Sequence, residues 1–442
     1  MRIEPEAPVS LTDMLAAREN RARCQRQMLE KHGAPVLSFT LNTPGPVKDS
    51  RLYAMAFAEG MRLITAALTA EALPVFEKRE NLQATGREGF FSVAGDVLTL
   101  KALVCDIEDL CEIGRFFDID VIGLDGKPIS RQDILRAERS CFLCGNSAAQ
   151  CARGKTHSME ALLTFIEQRL ILYFEEKIAD DIASKAIRSL LYEVSVTPKP
   201  GLVDRVNNGA HSDMDFYTFL DNTAALSPYF RTCALAGLRS AGETPERLFQ
   251  RLQFLGKRAE ADMAEATSGV NTHKGAIFSL GVLCGAAGRV LENYRGCSVP
   301  ALCRMSASIV SNAMKAYVQD TRPLRGARLE TASGFETVQR VSLPMLRRQI
   351  AGGASENEAG IAVLLRLLAA VEDTNLCRRG GVSAQQYVSE AVSAHFQGDG
   401  MTDMAFAAAL DEAMIERNLS PGGCADLLAI TFFLYFMENE AR

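Results

Sequence analysis

Residues 155–197 read KTHSMEALLTFIEQRLILYFEEKIADDIASKAIRSLLYEVSVT, a stretch with neither glycine nor proline. Apolar side chains recur at Leu163, Ile166, Leu170, Phe174, Ile178 and Ile182, three and four residues apart, the period of an amphipathic helix. The run is long for one helix, and charge concentrates from Glu175 to Asp181, so a break is expected there. The chain also changes character at this place. Upstream, helical and strand-like segments mix. Helices are expected over residues 11–31 and 49–66, strands over 35–41 (PVLSFTL), 89–94 and 116–122 (FFDIDVI), and residues 101–111 fit either. Downstream of Pro198, nearly every segment has the helix period: residues 245–266, 273–293, 300–320, 357–371, 384–396 and 424–438. Gly281, Gly285 and Gly288 in the second of these allow close helix packing. A multidomain protein follows, with an α+β domain over residues 1–175 and an all-α domain over 176–442.

The length of 442 residues fits two large domains. A hydrophobic share of 48% fills sizeable cores, and a charged share of 23% argues against disorder. The net charge of −6 opposes wrapping of nucleic acid, so no nucleic-acid partner is expected. The opening Met1-Arg-Ile-Glu-Pro-Glu has no apolar stretch, so no secretory signal is expected. The apolar run 427–437 is too short to span a bilayer, and no membrane partner is expected. Twelve cysteines without a signal peptide read as reduced thiols in the cytoplasm.

The strand at residues 116–122 carries the first chemical signal. Alternation puts Asp118 and Asp120 on one face and Phe117, Ile119 and Val121 on the other. Two adjacent carboxylates repel unless a cation or proton lies between them, and hard oxygen ligands suit Mg²⁺ with phosphate. The same spacing also fits a solvated strand face. Next comes Cys141-x-x-Cys144, then Cys151 and His157. This spacing is not a common zinc-finger pattern, so free thiols, rather than stoichiometric zinc, are expected beside a phosphate-binding loop. Arg153, Lys155 and His157 form a basic cluster suited to polyphosphate.

Gly114-Arg-x-x-Asp118-x-Asp120-Val, Arg139-x-Cys-x-x-Cys and Cys151-Ala-Arg-x-x-x-His157-Ser158 together resemble the citrate lyase holo-acyl-carrier-protein synthase family over roughly residues 10–172. The resemblance implies a nucleotidyltransferase-like domain that moves a phosphoribosyl-dephospho-CoA group onto a serine of the lyase acyl-carrier subunit, releasing pyrophosphate. It implies Asp118 and Asp120 as catalytic metal ligands and Arg115 as a phosphate contact.

The second half holds TPKPGLVD from Thr197, GAHSDM from Gly209, GVNTHKGAIFSLG from Gly269, EDTN from Glu372 and NLSPGGCADLLA from Asn418. Taken singly, each also fits a turn or a helix cap; their density argues for a site. The segment around Gly269 to Gly275 opens a helix, where amides receive phosphate, but it is not a P-loop. Asp426 at a helix start is favourable for dipole reasons alone. These strings resemble the triphosphoribosyl-dephospho-CoA synthase family over about residues 176–442. The resemblance implies a largely helical domain that joins the ribosyl triphosphate of ATP to dephospho-CoA and expels adenine. It selects Lys199, His273 and Lys274 for triphosphate, Asp204 and Asp213 for metal or base, and Glu193 more weakly. His211, Asn271, Asp373 and Asn375 are the remaining substrate contacts it implies. The expected whole is a bifunctional transferase using ATP, dephospho-CoA and Mg²⁺. The same chemistry for a malonate decarboxylase-type carrier, or a non-catalytic carrier-binding adaptor, are the alternatives.

Overall fold

The computed structural model describes residues 8–291, 297–320, 327–396 and 404–439, without the side chains of 314–320. The first six residues and the expected helix end at Asn293 lie outside these. The chain forms two units, one ending at Phe174 and the other beginning at Glu175.

The N-terminal unit is built on a four-stranded antiparallel sheet. Its elements are α1 (Leu11–His32), β1 (Val36–Leu41), α2 (Arg51–Ala70), β2 (Val75–Gln83), β3 (Gly86–Val93), α3 (Val97–Leu110), β4 (Phe117–Ile122) and α4 (Ala148–Gly154). The strand order is β2-β3-β1-β4, all neighbours antiparallel. β1 is central and wholly apolar on one face. Phe39 stacks on Phe57 of α2 at 5.2 Å and meets Phe117 edge-on at 5.3 Å. Gly60 makes that approach possible, since a Cβ there would lie 2.2 Å from the Phe39 ring. On the other face Met28 of α1 packs with Val36, Phe90 and Ile122. The residues 101–111 resolve as the helix α3. β2 is a strand that the sequence did not suggest. Its residues VFEKRENLQ are charged and largely exposed, a common guise of an edge strand, and β3 alone pairs with it.

α5 runs unbroken over Met159–Ser195, against the expected break at Glu175 to Asp181. The charges there lie on an outward face and find partners. Glu175 and Glu176 bind Arg239 at 2.7 and 3.1 Å, and Asp180 binds Arg231 at 2.5 Å, both arginines being in the C-terminal unit. Paired charge on a face continues a helix as well as apolar periodicity does.

The C-terminal unit is helical throughout its described residues: α6 (Phe216–Ala225), α7 (Ser227–Leu238), α8 (Pro245–Ala266), α9 (Lys274–Leu291), α10 (Val299–Asp320), α11 (Ala327–Ala332), α12 (Leu343–Ala351), α13 (Glu356–Ala370), α14 (Thr374–His395), α15 (Met404–Glu416) and α16 (Gly422–Asn439). A π-turn, Val338–Ser342, precedes α12. The expected helix at 384–396 is the later part of α14, whose helical path is interrupted at Gly381 (φ 71°). α9 is long and apolar enough to cross a membrane, but two thirds of it is buried in this core (67%). Its glycines let α7, α8 and the helix interlock: a Cβ at Gly288 would lie 2.1 Å from the Ala234 carbonyl, and one at Gly285 would lie 2.7 Å from Leu252.

Candidate functional site

In the N-terminal unit, β4 buries Phe117, Ile119 and Val121 and turns Asp118 and Asp120 to the opposite face. Asp118 is paired with Arg139, Nη1 to Oδ1, at 3.1 Å. No hydrogen bond or ion pair reaches the Asp120 carboxylate among the described residues. Burial first, and then the charge of Asp118, push its carboxyl above the usual aspartate range. The strand edge is braced by a residue that the sequence reading did not single out. Glu108 of α3 is buried, accepts the Ile119 amide at 3.0 Å, binds Arg131 at 2.9 Å and also bonds Arg139.

Arg115 donates to the Ser140 carbonyl and stands 5.6 Å from the Phe142 ring centre. Arg115, Arg139, Lys155 and His157 line a cavity of about 590 Å³. Arg153 is exposed on α4 and outside this lining, as are the two aspartates. The predicted basic cluster is therefore split, with Lys155 and His157 facing inward and Arg153 outward.

In the C-terminal unit, a cavity of about 470 Å³ is lined by seven of the predicted residues: Glu193, Lys199, His211, Asn271, His273, Lys274 and Asn375. Three helix starts border it, Lys274 of α9, Thr374 of α14 and Gly422 of α16. Helix N-termini carry the positive end of the helix dipole, so their convergence favours an anion. Arg378 and Arg379 add charge to the lining. The sequence reading passed over both, since arginine inside a helical segment has no distinctive pattern. Arg379 is anchored by the Ala210 carbonyl at 2.7 Å and Asn418 Oδ1 at 2.8 Å, and its Nη2 lies 3.2 Å from His211 Nδ1. His211 also bonds Ser420 at 2.8 Å; burial, and then Arg379, lower its pKa.

The acidic side of the cavity is Glu193 and Asp426. Lys199 Nζ lies 2.6 Å from Glu193 Oε1, both buried, so Lys199 is neutralised and offers no free cation for triphosphate. Burial pushes the Glu193 carboxyl up, and Lys199 works against that push. No ion pair reaches Asp426 among the described residues. Burial, then Glu193 and Asp373, drive its carboxyl well above the usual range, and the Ala276 amide offsets this only in part. Its surroundings therefore oppose its ionisation. A Cβ at Gly275 would lie 1.9 Å from Asp426 Oδ2, so only glycine admits this carboxyl beside the start of α9.

His273 is buried and meets Phe219 edge-on at 4.9 Å. Burial, with Lys199 second, lowers its pKa to about 3, so the ring is neutral and brings no positive charge to a triphosphate. Asn222 Nδ2 lies 2.5 Å from its Nδ1, while its Nε2 is buried with no partner among the described residues. A buried ring nitrogen without a partner is costly unless a ligand completes it.

Two predicted acids hold backbone instead. Asp204 is buried and takes the amides of Lys199 (3.1 Å), Val206 (2.7 Å) and Asn207 (3.0 Å), which leaves it organising the Lys199 loop outside the cavity lining. Asp373 caps α14 through the amides of Asn375 and Leu376 and ties α16 through the Cys424 amide at 2.8 Å. Asp213 is 62% exposed, 3.7 Å from His211 and outside the lining.

The family models that match the two units indicate a bifunctional transferase. The family model described as apo-citrate lyase phosphoribosyl-dephospho-CoA transferase (CitX) matches residues 9–172. The one described as ATP:dephospho-CoA triphosphoribosyl transferase (CitG) matches residues 179–324 and 311–442. The chain belongs to the family in which a CitX domain is followed by a CitG domain. It is similar to Protein CitXG of Haemophilus influenzae, 32% identical over 462 residues, covering 98% of this chain and 97% of the relative. Protein CitXG of Leuconostoc mesenteroides subsp. cremoris is 32% identical over 464 residues, covering 96% and 97%. A probable 2-(5''-triphosphoribosyl)-3'-dephosphocoenzyme-A synthase of Pectobacterium carotovorum is 42% identical over 273 residues, covering 59% of this chain and 90% of that one.

Proposed function

We propose that the C-terminal unit makes 2'-(5''-triphosphoribosyl)-3'-dephospho-CoA from ATP and 3'-dephospho-CoA with release of adenine. The N-terminal unit then transfers the phosphoribosyl-dephospho-CoA group to a serine of the apo acyl-carrier subunit of citrate lyase and releases pyrophosphate. The observation that carries this reading is the C-terminal cavity, where three helix starts and two arginines share the lining with Asp426, a carboxyl whose ionisation burial and neighbouring acids oppose.

The 2'-hydroxyl of dephospho-CoA attacks C1'' of the ATP ribose as the bond to adenine breaks. The departing ring takes a proton from Asp426 on its own face of the ribose, the attacking hydroxyl loses its proton to solvent on the opposite face, and Asp426 is reprotonated from solvent. His273 donates from Nε2, its Nδ1 being held by the Asn222 amide, to a ribose or phosphate oxygen. Lys274, Arg378 and Arg379 stand where the triphosphate meets the helix starts.

In the N-terminal unit, the serine hydroxyl attacks the α-phosphorus, the bond to pyrophosphate breaks, and the serine proton is lost to solvent. Arg115, Arg139 and Lys155 receive the phosphates. This is nucleotidyltransferase-like chemistry, and the carboxylate pair on β4 supports that likeness. Asp118 and Asp120 fit Mg²⁺, because Asp120 lacks a partner among the described residues and its charge is opposed by burial and by its neighbour. Bound there, Mg²⁺ would offset charge on the leaving pyrophosphate. A cytoplasmic setting belongs to the same reading, supported by twelve free cysteines.

The test is mass spectrometry of apo acyl-carrier subunit incubated with the protein, ATP and dephospho-CoA, with adenine followed by chromatography. A gain equal to the phosphoribosyl-dephospho-CoA group, with adenine released only when both substrates are present, is expected. An unmodified carrier beside released adenine would refute the N-terminal assignment. No adenine would refute the C-terminal one.

A further inference from the structure

The chain between Arg131 and Ser158 has almost no core of its own: Cys151 is its one buried residue. Yet this segment delivers Arg139 and Lys155 to the N-terminal cavity. A segment that buries so little needs another source of order.

Its backbone supplies part of the answer. Ser140 pairs with Ser147 across a tight turn, closed by Cys141 N to the Asn146 carbonyl at 2.5 Å and Ala148 N to the Arg139 carbonyl at 2.9 Å. Gly145 takes φ 74° to reverse the chain, a conformation that a side chain would strain. Cys141 and Cys144 sit in this turn, with the amides of Leu143 and Cys144 directed at the Cys141 sulfur. Cys151 follows on α4. Lys155 then takes a left-handed conformation (φ 45°), and His157 comes back towards the turn.

The ligand atoms of Cys141, Cys144, Cys151 and His157 all lie within 4.8 Å of one another. Cys144 Sγ is 3.4 Å from Cys151 Sγ and 3.3 Å from His157 Nε2. A disulfide would need about 2.05 Å between sulfurs. Tetrahedral zinc, with Zn–S of about 2.3 Å, separates two sulfurs by roughly 3.8 Å. The spacing in sequence gave little reason to expect a metal; the turn and α4 bring the four side chains together regardless of that spacing.

We propose that Cys141, Cys144, Cys151 and His157 bind one Zn²⁺ as a closed structural site. Three thiolates and an imidazole are a soft to borderline donor set that selects zinc over magnesium or calcium. Four protein ligands leave no open position for substrate, so the ion staples the segment rather than reacting. Amides directed at a coordinating sulfur are the usual outer support of such a site. The binding of zinc stands whatever the carrier or reaction. Only its consequence, the fixing of Arg139 and Lys155 at the cavity, rests on the function proposed above.

The experiment is metal analysis of the full chain purified without chelator. One zinc per chain is expected, falling to background in Cys144→Ser and Cys151→Ser and staying stoichiometric in Cys377→Ser, a distant control. Because the ligand variants can misfold, the wild-type chain is also stripped and titrated with Co²⁺. Intense tetrahedral d–d bands and a thiolate charge-transfer band are expected, saturating at one equivalent. A folded wild-type chain that holds no stoichiometric zinc, or gives only a weak octahedral cobalt spectrum, overturns the proposal. So does a Cys144–Cys151 disulfide in a non-reducing peptide map of the purified chain.

Discussion

Lys199 Nζ and Glu193 Oε1 meet at 2.6 Å with side chains only 1% and 4% exposed, a sealed ion pair at the wall of the C-terminal cavity. The ammonium also bonds the Glu193 carbonyl at 3.2 Å. Removing one member strands the other charge in a dry setting. Lys199→Met should cost about 3–5 kcal/mol of stability. Lys199→Met with Glu193→Gln should recover most of that, since no buried charge remains. Denaturant unfolding of the three chains measures both. A single variant as stable as wild type would mean that Glu193 is neutral in the native protein.

Asp426 leads to a prediction with opposite signs for activity and stability. Its folded pKa is raised, so any stability it contributes is present below the unfolded value and is lost as pH rises through the folded one. Asp426→Asn removes that loss. The variant should release no adenine, yet its melting temperature relative to wild type should climb as pH rises above the unfolded aspartate value of about 3.9. A gap that does not change with pH would show that Asp426 ionises as readily in the folded chain as in the unfolded one.

His273 gives the reverse dependence. Its folded pKa of about 3 lies below the ordinary 6.5. The unfolded chain therefore takes up a proton that the folded ring refuses, and stability falls as pH drops from 6.5 towards about 3. Other acids titrate over the same range, so the readout is the difference between wild type and His273→Gln. Wild type should lose ground to the variant steadily through that window. Urea midpoints at a series of pH values supply the measurement.

Lys274 separates binding from folding. Its ammonium is 58% exposed and paired with Glu260 at 2.9 Å, an arrangement worth little to stability. Lys274→Ala should change stability by less than about 0.5 kcal/mol and raise the KM for ATP. Unaltered ATP kinetics would remove Lys274 from the triphosphate site.

The sequence showed the parts of this molecule that follow a period. Phe117, Ile119 and Val121 are buried opposite Asp118 and Asp120 because alternation in a strand leaves no other choice. The helices of the C-terminal unit follow from the same kind of rule. β2 escaped because its charged face looks like a loop until β3 supplies hydrogen bonds. Asp204 and Asp373 illustrate a different limit. Their residue type suits a metal or a base, but only the fold shows that amides have already claimed their oxygens. Asp426 misled in the other direction. A helix-start aspartate has an ordinary reading, and the approach of Gly275 and Glu193 that makes it unusual is long-range. Glu108 and Arg379 likewise depend on partners distant in sequence.

The sharpest separation of the two activities lies in Asp120. Its carboxylate stands beside that of Asp118, lacks a protein partner among the described residues and is disfavoured as an anion by burial and by that neighbour. Arg139 already neutralises Asp118, so Asp120 is the oxygen donor most in need of a cation. Asp120→Asn keeps size and hydrogen-bonding capacity, removes the charge and relieves the repulsion, so the N-terminal unit should be no less stable. Transfer to the acyl-carrier subunit should cease, while adenine release continues, because the C-terminal cavity is built from other residues. The triphosphoribosyl intermediate should then accumulate free in solution, where chromatography detects it. Carrier modified at the wild-type rate would show that Asp120 takes no part in the transfer. Loss of adenine release from a folded Asp120→Asn chain would show that the two reactions do not occupy separate sites.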